Sequence, residues 1–103
     1  MSKSIYEKIG SELEISHKVN TGQMFGKPCI KANGKAFAAF FKDEMVFKIG
    51  REEAYLIINK YPGAQLWDPS GKKRPMKDWL QVPNAFSSDW NKLALQALNF
   101  INT

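Results

Sequence analysis

A chain of 103 residues with 44% hydrophobic content is long enough for one small domain with its own core, and these proportions exclude an intrinsically disordered protein. Its single cysteine, Cys29, excludes an intrachain disulfide and indicates a reducing, cytoplasmic setting, while no apolar run approaches the roughly 20 residues of a membrane span. The formal net charge of +5, with a pI near 9.4, favours polyanions as partners.

The first predicted element is a helix from Ser4 to His17. Ser4 and Glu7 match a capping box, in which the serine side chain accepts a hydrogen bond from a backbone amide and the glutamate reaches back to the cap. Hydrophobic residues then recur every four positions: Ile5, Ile9 and Leu13. This stripe predicts that one face of the helix packs on the core.

The next segment, residues 21–49, predicts a three-stranded antiparallel meander. Gly26 and Pro28 interrupt its first strand, because proline cannot donate to a ladder and suggests an edge or a bulge. Asn33-Gly34 favours a type I′ hairpin turn, since both residues tolerate positive φ. The predicted strands are Thr21 to Ala32, Lys35 to Lys42 and Met45 to Ile49.

A helix and a hairpin are predicted next. Gly50 precedes acidic residues that suit the positive end of a helix, and Pro62-Gly63 ends that helix. Two strands follow, Ala64 to Asp68 and Met76 to Val82. The turn Asp68-Pro69-Ser70-Gly71 has the residues that a type I turn favours.

The last predicted element is a helix that Ser88 can cap. One face of this helix is apolar: Trp90, Leu93, Ala94, Ala97, Leu98 and Ile101. Residues 1–103 therefore predict a single α+β domain with the element order α-β-β-β-α-β-β-α.

Four sequence features, taken with this order, resemble the amino-terminal domain of the TfoX (Sxy) family: Met24-Phe25-Gly26, the Asn33-Gly34 hairpin, Ala36-Phe37-Ala38 and Met45-Val46-Phe47-Lys48. The likeness spans nearly the whole chain. The resemblance implies an α+β fold with a single curved sheet and helices packed on it. It also implies a bacterial family linked to the regulation of natural competence, with many small single-domain relatives.

Longer TfoX proteins resemble this chain only in their first half and carry a second, helical domain, for which no residues remain here. The family pattern establishes no catalytic, metal or cofactor residues, so none is carried over. The resemblance supports a regulatory or interaction domain that needs no cofactor.

The residues that could serve catalysis are few. His17 lies at the predicted end of the first helix, where a structural role at the helix dipole is the stronger interpretation. Cys29 is a candidate nucleophile only if His17 folds beside it, and a buried strand cysteine is the stronger interpretation. One His and one Cys cannot assemble a tetrahedral zinc site of nitrogen and sulfur ligands.

A concentrated basic group near the tip of the second hairpin resembles a binding surface: Lys72, Lys73, Arg74 and Lys77. Cations can contact phosphates, and an exposed indole of Trp67 or Trp79 on the flanking arms could stack on an unpaired base. The alternative is that the basic loop keeps the tip soluble and that both tryptophans point into the core. Three lysines of the first hairpin could extend the basic surface: Lys27, Lys31 and Lys35.

A second candidate surface surrounds the family motif, Met24, Phe25 and Gly26. These residues, with Phe41 and with Pro28 disrupting the strand, suggest an exposed apolar groove or sheet edge that receives a protein partner or a second copy of the chain. Core packing is the alternative interpretation.

Three functional hypotheses follow from the sequence. The leading one is a non-enzymatic regulatory domain that binds a protein partner or itself. The second is a nucleic-acid-binding module that uses the basic residues of the 72–77 hairpin. The third is an enzyme, for which the sequence offers no convincing cluster of catalytic side chains.

Overall fold

The computed structural model describes residues 2–102. Within this range it contains three α-helices and six strands, so the predicted α+β class is confirmed. The strands form one antiparallel sheet in the order β1-β2-β3-β4-β6-β5. The elements in chain order are α1 (Ser2–Ser16), β1 (Val19–Met24), β2 (Lys27–Ala32), β3 (Lys35–Phe41), β4 (Glu44–Lys48), α2 (Arg51–Ile57), β5 (Gln65–Trp67), β6 (Met76–Val82) and α3 (Trp90–Ile101).

The first helix extends further towards the amino terminus than its capping motif predicts. Because α1 is already helical at Ser2, Ser4 lies inside the helix, and its predicted role as the cap is wrong. The apolar stripe is correct in its main members, since Ile9 and Leu13 are buried, and Tyr6 joins them. Helix α1 ends at Ser16, one residue before the predicted end.

The meander has four strands, one more than predicted. Phe25 and Gly26, with φ of +53° and +72°, form a two-residue turn between β1 and β2, where one continuous strand was expected. The Asn33-Gly34 turn is confirmed, with both φ positive, and Lys42-Asp43 forms a third turn of the same kind. Positive φ at both central residues is the pattern of a type I′ turn, which matches the twist of the strands it joins.

The second half of the chain follows the prediction closely. Strand β6 has the predicted bounds, and the Gly71 amide donates to the Asp68 carbonyl, as the predicted turn requires. Helix α2 ends at Ile57 and continues as a single 3₁₀ turn before Pro62. Ser88 lies in a 3₁₀ segment ahead of α3 and does not cap it, because the residue that precedes the helix is Asp89.

The helices contribute to one hydrophobic core, which lies on one face of the sheet. Tyr6 from α1, Ile57 from α2 and Trp90 from α3 belong to the same buried cluster as Phe37 and Phe47 of the sheet. The opposite face of the sheet, here called the open face, carries a second and smaller cluster: Cys29, Ala39, Phe41, Val46, Trp67 and Trp79.

The sheet is strongly curved, and this curvature encloses the second cluster. Phe25 lies at the tip between β1 and β2, and Trp67 lies on β5 at the far edge, yet their ring centroids are 6.1 Å apart. In a flat sheet, β2 and β5 would be four strand spacings apart, or about 19 Å. The two edges therefore bend towards each other over the open face.

Candidate nucleic-acid interface

The connection between β5 and β6 carries the basic residues that the sequence singled out. Lys72, Lys73 and Arg74 are exposed in it, and so is Lys77 at the start of β6. The carboxylate of Asp68 organises the connection by accepting hydrogen bonds from within it. The donors are the Ser70 hydroxyl at 3.0 Å, the Gly71 amide at 3.2 Å and the Lys73 amide at 2.9 Å.

These hydrogen bonds alter the acidity of Asp68. Partial desolvation raises the pKa of its carboxyl, but the hydrogen bonds from the Ser70 hydroxyl and from the amides of Lys73 and Gly71, with a smaller influence of the Arg74 amide, outweigh it and lower the pKa below its ordinary value. The negative charge is therefore engaged by the loop itself, while the cationic side chains point to solvent.

Two more cations lie beside this loop, at the junction of β4 and α2. Lys48, Arg51 and Lys77 line a groove of about 380 Å³, together with Pro75, Met76, Asp78 and Trp79. Arg51 follows Gly50 at the first position of α2, and Gly50 and Ile49 donate their amides to the carbonyl of Asp78 on β6. These backbone hydrogen bonds hold the start of α2 against the strand that carries Lys77.

We call these six cations the basic face: Lys48, Arg51, Lys72, Lys73, Arg74 and Lys77. Lys48 is half-buried and the other five are exposed. Sequence reasoning found the four residues of the hairpin because their charge is concentrated locally. It missed Lys48 and Arg51, because only the pairing of β4 with β6 brings them beside Lys77.

The two tryptophans of the hairpin are both buried on the open face. Trp67 is fully buried and Trp79 is 6% exposed, with their ring centroids 5.1 Å apart. The suggestion that an indole stacks on a base is therefore wrong, and the alternative of tryptophans packed in a core is what the structure has. The indole N–H of Trp67 is buried without a hydrogen-bond partner among the described residues.

One exposed aromatic residue near the basic loop is Phe25 of the family motif, whose side chain is 63% exposed. Its ring lies edge-on against Trp67, the residue that immediately precedes Asp68. Its neighbours differ from it, since Met24 is half-buried against the second cluster and Phe41 is buried within it. The predicted apolar surface is thus reduced to one exposed ring at a hairpin tip.

Two lysines lie around the same aromatic cluster. The ammonium groups of Lys27 and Lys42 approach the Phe41 ring to 5.6 and 5.4 Å from its centroid, distances typical of cation–π contacts. Phe41 in turn contacts Trp67, with ring centroids 5.6 Å apart. Lys31 lies further along the open face, with its side chain against Gly22.

The predicted catalytic candidates do not form a reactive site. Cys29 is fully buried in the second cluster, and burial raises the pKa of its thiol despite the opposing influence of Lys31. His17 is exposed at the end of α1, where its ring contacts the Ser16 hydroxyl at 3.0 Å. Among residues 2–102, no three His, Cys, Asp or Glu side chains are grouped in a way that could hold a metal ion.

Comparison with known proteins identifies no relative of this chain. No family model matches it, and neither the curated proteins nor the solved structures contain a significant match. The described helices are also all too short or too polar to cross a membrane.

Proposed function

We propose that this chain is a non-enzymatic domain that binds nucleic acid through phosphate contacts on the basic face. The observation that carries this proposal is the grouping of six cations around one loop and one groove. Contacts of Lys and Arg with phosphates supply most of the affinity of sequence-independent nucleic-acid binding, because each contact releases condensed counterions.

The state of the acidic residues near the basic face supports the proposal. Asp68 is engaged by the backbone and by Ser70, so it supports the loop instead of neutralising its lysines. Asp78 lies in the wall of the groove and reduces the local positive charge, but three cations share that groove with it. Glu52 and Glu53 follow Arg51 on α2 and line a neighbouring groove with it, so the clearest excess of positive charge lies at the loop of Lys72, Lys73 and Arg74.

A non-enzymatic role is proposed because the two most nucleophilic side chains are poorly placed for chemistry. A buried thiol with a raised pKa carries little thiolate near neutral pH, and the thiolate is the reactive form. His17 is held near Ser16 at the surface, and Ser16 in turn donates to the Glu12 carbonyl.

A protein partner is the second candidate function, and the surface of α2 favours it. Tyr55 is 79% exposed and Leu56 is 67% exposed on this short helix. Tyr55 also borders a small groove of about 270 Å³, whose walls are formed by Ile58 and Leu66 and by the side chains of Arg51 and Lys77 from the basic face. Exposed apolar side chains beside an apolar groove suit a protein–protein contact, with a different protein or with a second copy of the chain. The TfoX relationship, with a regulatory role, remains a prediction that fits this second candidate.

The test of the leading proposal is fluorescence anisotropy with labelled 20-mer duplex and single-stranded DNA over a range of salt concentrations. The double variant Lys72→Glu/Arg74→Glu should weaken binding to both, and should make the negative slope of log K against log salt on duplex shallower by about 2, since each phosphate contact contributes about −0.9 to it. Lys73 is left unchanged because its φ of +60° is a backbone constraint of the loop.

The matched control is Lys3→Glu/Lys8→Glu on α1, which makes the same change in net charge at two exposed lysines away from the basic face. This control should lower affinity only weakly and leave the salt slope unchanged. Equal effects of the two double variants would show that the overall charge, and not the basic face, determines binding. No saturable binding at low salt would remove the leading proposal, and sedimentation with Tyr55→Ser would then test self-association.

A further inference from the structure

The backbone at Phe25 is held in a conformation that a bulky residue rarely adopts. Its φ of +53° lies in the left-handed region, where the Cβ of an L-residue is crowded. The other turn in the meander that ends in glycine has Asn33 at the equivalent position, which suits this conformation. A turn with this backbone conformation favours Asn or Gly, and Phe25 occupies it nonetheless. Backbone strain of this kind is concentrated at functional sites.

The Phe25 ring is exposed but held in place. Its centroid lies 6.1 Å from that of Trp67, with the planes at 70°, so the edge of one ring meets the face of the other. Trp67 is itself fixed by Phe41 and Trp79, at 5.6 and 5.1 Å between ring centroids. An exposed ring on a rigid support offers a π face to a ligand at a small cost in conformational entropy.

Two positive charges lie next to this platform. The ammonium groups of Lys27 and Lys42 both approach the single ring of Phe41, which places them within about 11 Å of each other. The acidic residues nearest in sequence are directed elsewhere. Asp43 accepts a hydrogen bond from the Asn84 side chain, and Glu44 accepts one from Gln81. The two ammonium groups give this side of the aromatic cluster a positive charge that favours an anion beside it.

We infer that the Phe25 ring stacks on an unpaired base of a single-stranded nucleic acid, whose flanking phosphates contact Lys27 and Lys42. This inference rests on the proposed function and makes it specific, because a duplex keeps its bases stacked inside and cannot offer one to the ring. A sequence-tolerant combination of aromatic stacking and backbone contacts is typical of proteins that bind single strands. The strand then continues towards the basic loop, which begins immediately after Trp67.

The experiment compares a labelled 12-mer of thymidine with an abasic 12-mer that has the same phosphates and no bases. The wild-type chain should bind the thymidine strand more tightly. Phe25→Asn should weaken binding of the thymidine strand about fivefold or more and leave binding of the abasic strand unchanged. Phe25→Trp, which keeps a π face, should retain the preference for the thymidine strand.

The variant Phe25→Asn is expected to fold, because it creates the Asn-Gly sequence that the next turn of the meander already has. Its thermal unfolding midpoint should stay close to that of the wild-type chain. Ile15→Asn on α1 is the matched control, since it also removes an exposed apolar side chain. It should leave both affinities unchanged.

The outcomes separate this inference from the proposed function. Equal affinity of the wild-type chain for the thymidine and abasic strands overturns the stacking inference, and so does wild-type affinity of folded Phe25→Asn for the thymidine strand. In either case, salt-dependent binding through the basic face would still stand. If the wild-type chain binds no nucleic acid of any kind, the proposed function fails and the inference fails with it.

Discussion

A single carboxylate, that of Asp68, holds together the loop that carries three cations of the basic face. The two carboxylate oxygens accept hydrogen bonds from one hydroxyl and two backbone amides. These bonds hold residues 68–75, which have no regular strand pairing of their own. The sequence predicted the turn at Asp68 because Asp, Pro and Gly have local conformational preferences. The sequence could not predict the hydrogen bond from the Lys73 amide to Asp68, because this bond depends on the path of the loop back towards β6.

Asp68→Asn should loosen this loop, because an amide group offers one acceptor atom in place of two. Hydrogen exchange measured by NMR should show faster exchange at the Gly71 and Lys73 amides. In the wild-type chain, the lowered pKa of Asp68 means that its contribution is complete above the ordinary value of 3.8 and is lost as the pH falls through the lower value of the folded chain. Protection of these amides should follow that titration and should be independent of pH in Asp68→Asn.

The matched control is Asp78→Asn, which removes a nearby carboxylate that lines the groove of the basic face. This variant should leave the exchange of both amides unchanged. Wild-type protection in Asp68→Asn would mean that the loop is held by its other contacts, including the bond from the Lys72 amide to the Ser70 hydroxyl.

At the scale of elements, the strand boundaries could be predicted only where the sequence of the turn between them is recognisable. Asn33-Gly34 was recognised because both residue types favour positive φ. The turn at Phe25-Gly26 is not predicted, because phenylalanine is not typical of such turns, and β1 and β2 therefore appear in the prediction as one strand. The apolar faces of α1 and α3 were predicted well, since helical periodicity is a property of the sequence alone.

Gly50 is the turn residue on which the position of α2 depends most directly. Its φ of +92° is open to glycine, and a Cβ added there would lie 2.7 Å from a ring carbon of Phe100 on α3. We expect Gly50→Ala to lower the free energy of unfolding by more than the about 1–3 kcal/mol that backbone strain alone costs. The midpoint of urea denaturation measures this loss.

Gly34→Ala separates strain from steric overlap. Gly34 also has a positive φ, of +77°, but an added Cβ would meet no atom within 4 Å. Its loss of stability should be that of backbone strain alone, about 1–3 kcal/mol. If the two variants lose the same stability, Phe100 moves aside readily and the packing of α3 on the start of α2 is loose.

At the scale of the whole molecule, the curvature of the sheet creates both the second cluster and the candidate site. Residue patterns indicate which side chains share a face of a strand, but they do not give the bend that brings Phe25 to Trp67. The sequence therefore does not determine whether Trp67 and Trp79 are exposed. It also does not show that the basic loop and the family motif are joined through Trp67.

Cys29 provides a way to measure this closure, because it is the single cysteine and is buried under the open face. Trp67→Leu should remove much of the contact between the two edges, at a cost of about 2 kcal/mol, less than the 3–5 expected for an alanine. The rate of Cys29 labelling by a thiol reagent at pH 8 should rise about 30-fold, since a tenfold change corresponds to about 1.4 kcal/mol.

Leu93→Ala is the comparison for this experiment, since Leu93 is buried in the core beneath the helices. It should lower the urea midpoint by a similar or larger amount and leave the labelling rate close to that of the wild-type chain. An equal rise in both variants would show that Cys29 becomes accessible only by global unfolding, and that the two faces do not open separately.

Three two-residue turns join β1 to β4, and the ladder between β2 and β3 already contains one extra residue, Phe37, which lies unpaired between Ala36 and Ala38. One further amino acid inserted into a strand, with no bulge or longer turn to absorb it, would shift the register by one position, and every following side chain would then point to the other face of the sheet. Residues of the helix-packed core would exchange places with those of the second cluster. A single-residue insertion in the meander is therefore expected to destabilise the fold wherever no bulge or longer turn absorbs it, and an insertion in the exposed loop between β5 and β6 is expected to be tolerated.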